Sequence, residues 1–486
     1  MNKTDQAELE RWIDIITQKA VDFGLDFYPA HFEVVPDYVI YELGSYGLPA
    51  RFSHWTFGRD YHQQKTMYEY GMSKIYEIVF NSNPCQAFLM DSNSMLSHKF
   101  VVAHVLGHND FFKNNIYFEH TDRQMIEKVR LHANRIRRYE DEFGKMQVEN
   151  FLDAVLSIEY HFDTATTTSY HRKQVKPDEP VKAPPPPTTE FDDLWNIVDG
   201  PLVRDTTPNV KFPQEPDRDL LGFLRDYAPE LTRWQRDIIN MVREEMIYFI
   251  PQIRTKIMNE GWASYWHERI MTDLDLTPEE HLEFRKLHSS VLSPGSKMSI
   301  NPYYVGYNIF RDIERRWNGE PDTDHPETDW LGDKRTRPDA NGMMKIFDVR
   351  RDENDLSFLR KYLTEGLINR LDMFTYRKDV VNGVQVWVVA DTDWRNVRDT
   401  LLESMTNMGM PIIEVENGDY KRRGELLLNH ASDGKPLDTD YTQRTMRHIY
   451  SLWQRPVHIQ TEREGKPLLL SFDGEEFNMD EVWTGE

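Results

Sequence analysis

The chain has 486 residues, 29% charged and 12% aromatic, with a formal net charge of -23 and one cysteine, Cys85. That length allows two or three domains, and the composition is that of a folded soluble protein and not a disordered one. The acidic balance argues against nucleic acid as a partner, no apolar run approaches the roughly 18 residues of a membrane span, and a lone cysteine permits no internal disulfide, as expected in a reducing cytoplasm.

The first residues, MNKTDQAELERWIDII, lead straight into an amphipathic helix with no apolar signal-peptide core. Apolar residues in ELERWIDIITQKAVDFG, YGMSKIYEIVF and VENFLDAVLSIEYHF recur with a 3.6 period, so residues 5 to 165 read mostly as helix. Residues 33 to 60, rich in Pro, Gly and Tyr, read as irregular. The basic run KVRLHANRIRR (128 to 138) reads as a solvated helix face. KPDEPVKAPPPP then places six prolines between Pro177 and Pro187. No helix or central strand survives that density, so 171 to 218 is expected to be a linker or surface excursion.

From Asp219 helices resume in DLLGFLRDYAPELTRWQRDIINMVREEMIYFIP, broken at Pro251, and in QIRTKIMNEGWASYWHERIM. Two more are expected over 278 to 290 and 302 to 317. The polar stretch 318 to 342 marks a second boundary. Beyond it MKIFDV, VQVWVVA, PIIEVENG, GELLLNH, RPVHIQTE and KPLLLSF read as strands, alternating with helices at 355 to 370, 393 to 408 and 440 to 453. The acid-rich end from Ser471 to Glu486 reads as a solvated tail. The fold class expected is therefore α+β. A mainly α-helical N-terminal region comprises 1 to 170 and, packed on it, 219 to 320; a smaller C-terminal α/β domain spans 340 to 486.

Chemistry concentrates in HKFVVAHVLGHNDFFKN, residues 98 to 114. On a helix Val101, His104, His108 and Phe111 form one stripe, so two imidazoles one turn apart face inward and can reach one ion. His98 lies more than half a turn off that stripe. In NEGWASYWHERI, Glu260 and His267 share a face, and Ala263 and Ser264 between them let another helix approach. The candidate metal set is His104, His108 and Glu260, with His267 as a fourth ligand or a group behind the ligands. A divalent transition metal is expected; zinc suits mixed nitrogen and oxygen ligands, and iron or manganese fit as well. Hydrogen-bonded core histidines are the competing reading. Glu245, on the stripe Ile238, Val242, Glu245 and Phe249, and Glu159, beside Leu152, Val155 and Leu156, are inward carboxylates that need a metal, a cation or a proton. Either could be a general base, and a salt bridge to arginine is the plain alternative. Asp110, Asn114 and His98 are candidates for orienting ligands or substrate.

At HVLGHNDFFKNN and NEGWASYWHERI the chain resembles the stage V sporulation protein R (SpoVR-like) family of bacteria. The resemblance continues in FGLDFYPAHFEVV, in GRDYHQQKTMYEYGMSKIYEIVFNSNPCQAFLMDSNS, in HSSVLSP followed by NPYYVGYNIFRDIERRW, in RDENDLSFLRKYLT and in IYSLWQRPVHIQT. It implies a cytoplasmic protein linked, in spore formers, to assembly of the spore-cortex peptidoglycan. It also implies protein partners of a sporulation or stress pathway, since relatives are often encoded beside a serine protein kinase. A second resemblance, of type and not of descent, is to gluzincin peptidases. Those bind metal through both histidines of HExxH and a glutamate on a later helix, which in some branches opens an EGWA motif. His104, His108 and Glu260 match that pattern, while Val105 stands where the general-base glutamate would be. A metal-dependent enzyme acting on an amide bond, by hydrolysis or acyl transfer, is expected on this basis, with Glu245 or Glu159 moving the proton. The alternative is a non-catalytic adaptor or regulatory protein whose metal, if any, is structural and closed by four ligands.

Overall fold

In the computed structural model the described residues are 3–69, 77–162, 212–295, 300–320, 341–381, 384–432 and 434–481. The first stretch of chain forms α1 (Lys3–Asp22), β1 (Ala30–Val35), α2 (Asp37–Tyr46), α3 (Trp55–Glu69), β2 (Glu77–Phe80), β3 (Cys85–Met90), α4 (Met95–Asn114), α5 (Met125–Phe143) and α6 (Lys145–Leu156). Next come α7 (Leu220–Tyr227), α8 (Arg233–Arg254), α9 (Lys256–Asp273), α10 (Pro278–Val291), α11 (Pro302–Asn318), α12 (Gly342–Asp352), α13 (Asp355–Tyr362) and α14 (Glu365–Arg370). The chain continues with β4 (Thr375–Val381), β5 (Val384–Asp391), α15 (Trp394–Met405), β6 (Ile413–Tyr420), β7 (Glu425–His430), α16 (Thr439–Trp453), β8 (Val457–Arg463), β9 (Lys466–Phe472) and β10 (Phe477–Glu481). The fold is α+β, helical toward the N-terminus and built on a five-stranded sheet toward the C-terminus. The chain divides into two units, one of Met1–Leu152 with Met241–Met410 and one of Asp153–Asn240 with Pro411–Glu486. Among the described residues no helix is long and apolar enough to cross a membrane.

In the first unit α4 is the central element. It starts where the Ser94 side chain accepts the Ser97 N–H, and every residue from Leu96 to Phe112 is buried. A helix that is apolar on most sides is stable only when packed all round, and α4 packs against α1, α9 and β3. The approach to α9 is backbone to backbone: a Cβ on Gly107 would lie 2.7 Å from Ala263 Cα. On its other side α9 meets α11 through Gly261 and Gly306, where either added Cβ would overlap the facing main chain. Asp355 sets the start of α9, its carboxylate accepting the Ile257 and Met258 N–H groups at 2.8 and 2.9 Å, while Thr255 makes no capping bond.

A three-stranded sheet in the order β1-β3-β2 lies beside α4. β1 runs parallel to β3, and β2 runs antiparallel to it with Glu77 opposite Leu89. In the second unit the sheet order is β10-β9-β8-β7-β6. Its one parallel pair, β7 with β8, is joined through α16, which buries Met446, Ile449, Leu452 and Trp453.

Several sequence expectations are corrected. YGMSKIYEIVF was expected to be helical, yet its last four residues are strand β2, and 70 to 76 lie outside the described residues. Ile78 and Val79 favour the pleated surface, and tyrosines spaced by chance supplied the apparent helical period. The interval 33 to 60 is ordered into β1, α2 and α3. Its Pro36 and Gly47 sit at the two ends of α2, Gly47 in the left-handed region at φ 73°, so they punctuate elements and do not break them. MKIFDV belongs to helix α12, capped by Asn341 and burying Ile346 and Val349 at i and i+3; six apolar-rich residues are too few to separate the two periods. The acidic end contains β10, paired antiparallel with β9. The proline-rich expectation falls, up to residue 211, outside the described residues.

Candidate metal centre

α4 and α9 bring three of the expected donors together. His104 Nε2 lies 3.6 Å from Glu260 Oε2, and His108 Nε2 lies 3.5 Å from the same oxygen. The two imidazole planes are perpendicular, with centroids 4.5 Å apart. A fourth donor arrives from β2: Glu77 Oε1 is 3.9 Å from His104 Nε2, and donor atoms of Glu77, His104 and His108 all lie within 4.8 Å of one another. These separations are too long for hydrogen bonds. They match two atoms sharing one ion, since ligands each about 2.0–2.1 Å from a tetrahedral centre are about 3.4 Å apart. Among the described residues neither His104 Nε2 nor Glu260 Oε2, both buried, has a hydrogen-bond partner. The residues present therefore fit a small cation.

The other imidazole nitrogens are tied down. His108 Nδ1 donates to Asn259 Oδ1 at 2.9 Å, and an amide oxygen can only accept, so the lone pair of His108 is on Nε2. Burial pushes His108 down to about 4, leaving it neutral. His104 Nδ1 is 2.9 Å from His267 Nδ1. Tyr303, at the start of α11, stacks on His104 at 5.8 Å. Burial pushes the Glu77 carboxyl up to about 7, against the opposing charge of His104. A carboxyl that exchanges its proton near neutrality is suited to acid–base work.

The remaining candidates lie elsewhere. His267 stands behind His104, its Nδ1 2.9 Å from His104 Nδ1 and its second nitrogen 2.9 Å from His288 Nδ1. Glu245 is fully buried, as its stripe predicts, but its oxygens are taken by Arg51 Nε at 2.6 Å and His132 Nδ1 at 3.0 Å. It is an ion-pair residue, and the carboxylates facing the histidines are Glu260 and Glu77. Glu159 falls in the second unit, in the turn after α6. His98 is buried in the first turn of α4, pushed down to about 4 by burial, its Nδ1 without a partner among the described residues. Asp110 accepts from Asp26 N, Trp262 Nε1 and Arg350 Nη1, and Asn114 Nδ2 donates to the Asp26 and Asp110 carbonyls. Both hold the scaffold together through these bonds. Glu77, Asn259, Tyr303 and His288 were missed by sequence reasoning. Asn259 alone had a visible signal, its place directly before Glu260.

The Glu245 cluster has a pH signature. Burial alone would lower His132, but hydrogen bonds and charge from Glu244 and Glu245 outweigh it and hold the imidazole at about 9. A folded pKa above the unfolded one gives stability that is complete below about 6.5 and is lost as pH rises through about 9. Urea unfolding is expected to show roughly 1–3 kcal/mol less stability at pH 9.5 than at pH 6.5 from this source, a difference that His132→Gln removes.

Comparison with known proteins agrees along nearly the whole chain. The sequence is 30% identical over 485 residues to the "Uncharacterized protein YcgB" of Escherichia coli (strain K12), covering 94% of this chain and 92% of that one. No solved structure matches. The family described as SpoVR like protein matches residues 3–410, and the SpoVR-like C-terminal domain matches 411–464, so the family boundary coincides with the unit boundary before Pro411. The chain belongs to the SpoVR-like family.

Proposed function

We propose that the chain is a cytoplasmic metal-dependent enzyme of amide-bond chemistry, hydrolysis or acyl transfer, serving spore-cortex peptidoglycan assembly in bacteria that form spores. His104, His108 and Glu260 would hold a divalent transition metal, with zinc the best match for two imidazoles and a carboxylate. The observation carrying this reading is the convergence of His104 Nε2, His108 Nε2 and Glu260 Oε2 at 3.5–3.6 Å with no hydrogen bond between them. A bound ion would supply Lewis acidity toward an amide carbonyl. Glu77 takes the proton of the attacking nucleophile and returns it to the leaving nitrogen, the task for which Val105 has no suitable group. The protein partners implied by the family role, a serine protein kinase system among them, belong to the same proposal.

Glu77 also favours a second reading. Its Oε1, 3.9 Å from His104 Nε2, is placed to complete a four-donor set, which is the mark of a structural ion in an adaptor or regulatory protein. The test is elemental mass spectrometry on protein purified without added metal or a histidine tag. About one equivalent of transition metal is expected in the parent and none in a folded His104→Ala/His108→Ala variant. A parent without metal, even after reconstitution, overturns the proposal. Glu77→Gln separates the two readings: metal affinity is unchanged if Glu77 moves protons, and falls at least about tenfold if it is a ligand.

A further inference from the structure

Behind the donor cluster a line of imidazoles crosses the first unit. His104 Nδ1 lies 2.9 Å from His267 Nδ1, and His267 Nε2 lies 2.9 Å from His288 Nδ1. His288 Nε2 faces Glu268 Oε1 at 3.7 Å. Glu268 is itself fixed, accepting from Arg285 Nη1 at 2.9 Å and from the Tyr307 hydroxyl at 2.5 Å. His267 is completely buried and His288 nearly so. Phe100 packs on His267 at 4.4 Å and Tyr307 meets His288 edge-on at 5.5 Å, so apolar ring surface flanks the line.

The direction of these bonds follows from the end groups. A neutral imidazole has one N–H and one bare nitrogen, and two imidazole nitrogens 2.9 Å apart need one of each between them. At 3.7 Å the Glu268 carboxylate is too far for a hydrogen bond, but its negative charge favours an N–H over a lone pair on the facing His288 Nε2. Its bare Nδ1 then accepts from His267 Nε2–H. The bare Nδ1 of His267 accepts from His104 Nδ1–H. What remains on His104 is a lone pair at Nε2, the nitrogen that faces Glu260 and Glu77. The opposite polarity would place a lone pair of His288 against the Glu268 carboxylate and an N–H of His104 where a cation would sit.

We propose that His267 and His288 are positioning residues: oriented by the charge of Glu268, they form a one-way hydrogen-bond chain that fixes the tautomer of His104 and keeps its Nε2 available to a metal. This rests on the metal reading above and adds that affinity at the site is set in part by His288, two hydrogen bonds from the nearest donor. Groups that orient ligating histidines are typically worth about 10–100-fold in metal affinity.

The experiment is zinc titration of the full chain against a chromogenic chelator, for the parent, His288→Leu and His288→Asn. Leucine cannot accept from His267 and is expected to weaken zinc binding at least about tenfold. Asparagine presents an oxygen near the position of Nδ1 and is expected to restore affinity to within about threefold of the parent. The parent alone gives a second readout: in its zinc-loaded form, long-range proton–nitrogen spectra of labelled histidines should show His267 and His288 as Nε2–H tautomers. Unchanged affinity in a folded His288→Leu protein, or an Nδ1–H tautomer at either residue, overturns the chain while leaving the metal reading standing. A parent that binds no zinc takes down both.

Discussion

Zinc at a thousandfold excess over its dissociation constant is expected to stabilise the metal-free protein by about 4 kcal/mol, raising the unfolding temperature of the first unit by roughly 5–10 °C. The reason is geometric. The donors His104, His108 and Glu260 come from two elements far apart in the chain, α4 and α9, and β2 brings Glu77 beside them. An ion held by all of them binds the folded chain and has no comparable site in the unfolded one. Calorimetry with and without zinc checks the shift. His104→Ala/His108→Ala should show none. Glu245→Gln should start from a lower baseline, because it weakens the hold on buried Arg51 and His132, yet show the full zinc shift. A shift that disappears in Glu245→Gln would mean the ion sits elsewhere.

Asp110→Ala is expected to cost about 3–5 kcal/mol, the range for removing one partner of a buried ion pair. Asp110 is completely buried and satisfies three separate parts of the chain: the Asp26 amide, the Trp262 indole and the Arg350 guanidinium. Alanine leaves Arg350 charged and buried against Trp262 and Phe347. Asp110→Asn keeps an acceptor for two of the three donors and should lose less. Denaturant unfolding at neutral pH gives the ranking, and equal stability of the alanine variant and the parent would show that Arg350 finds another counter-ion.

The parts of this molecule legible in the sequence are those set by spacing within one element. The stripe Val101, His104, His108 and Phe111 could be read because i, i+3 and i+7 lie on one face whatever surrounds the helix. The small residues of NEGWAS announced a close helix contact for the same reason, and it is realised between Gly107 and Ala263. The inward face of Glu245 was equally visible. Its partner was not, because Arg51 stands 194 positions away and nothing local encodes that pairing. Glu77 was hidden twice over: it lies within a stretch that mimics helical spacing, and its approach to the histidines depends on how β2 pairs with β3. His288 gave no signal, since its role exists only through His267. Local periodicity thus supplied the two histidines and Glu260, whereas the second carboxylate, Glu77, and the hydrogen-bond chain are products of tertiary packing.

The discontinuity of the first unit bears on how the protein is made. α4 leaves the ribosome about 160 residues before α9 is complete, a delay of roughly ten to thirty seconds at ordinary elongation rates. In that interval a helix destined for burial on every side lacks the neighbour that covers it, while the whole Asp153–Asn240 segment is still being synthesised. The nascent chain thus holds an apolar helix bearing His98, His104 and His108 in an unfinished fold, where stray metal and other nascent chains compete for it. Cells producing this protein should depend on holdase chaperones during its translation more heavily than its finished stability would suggest.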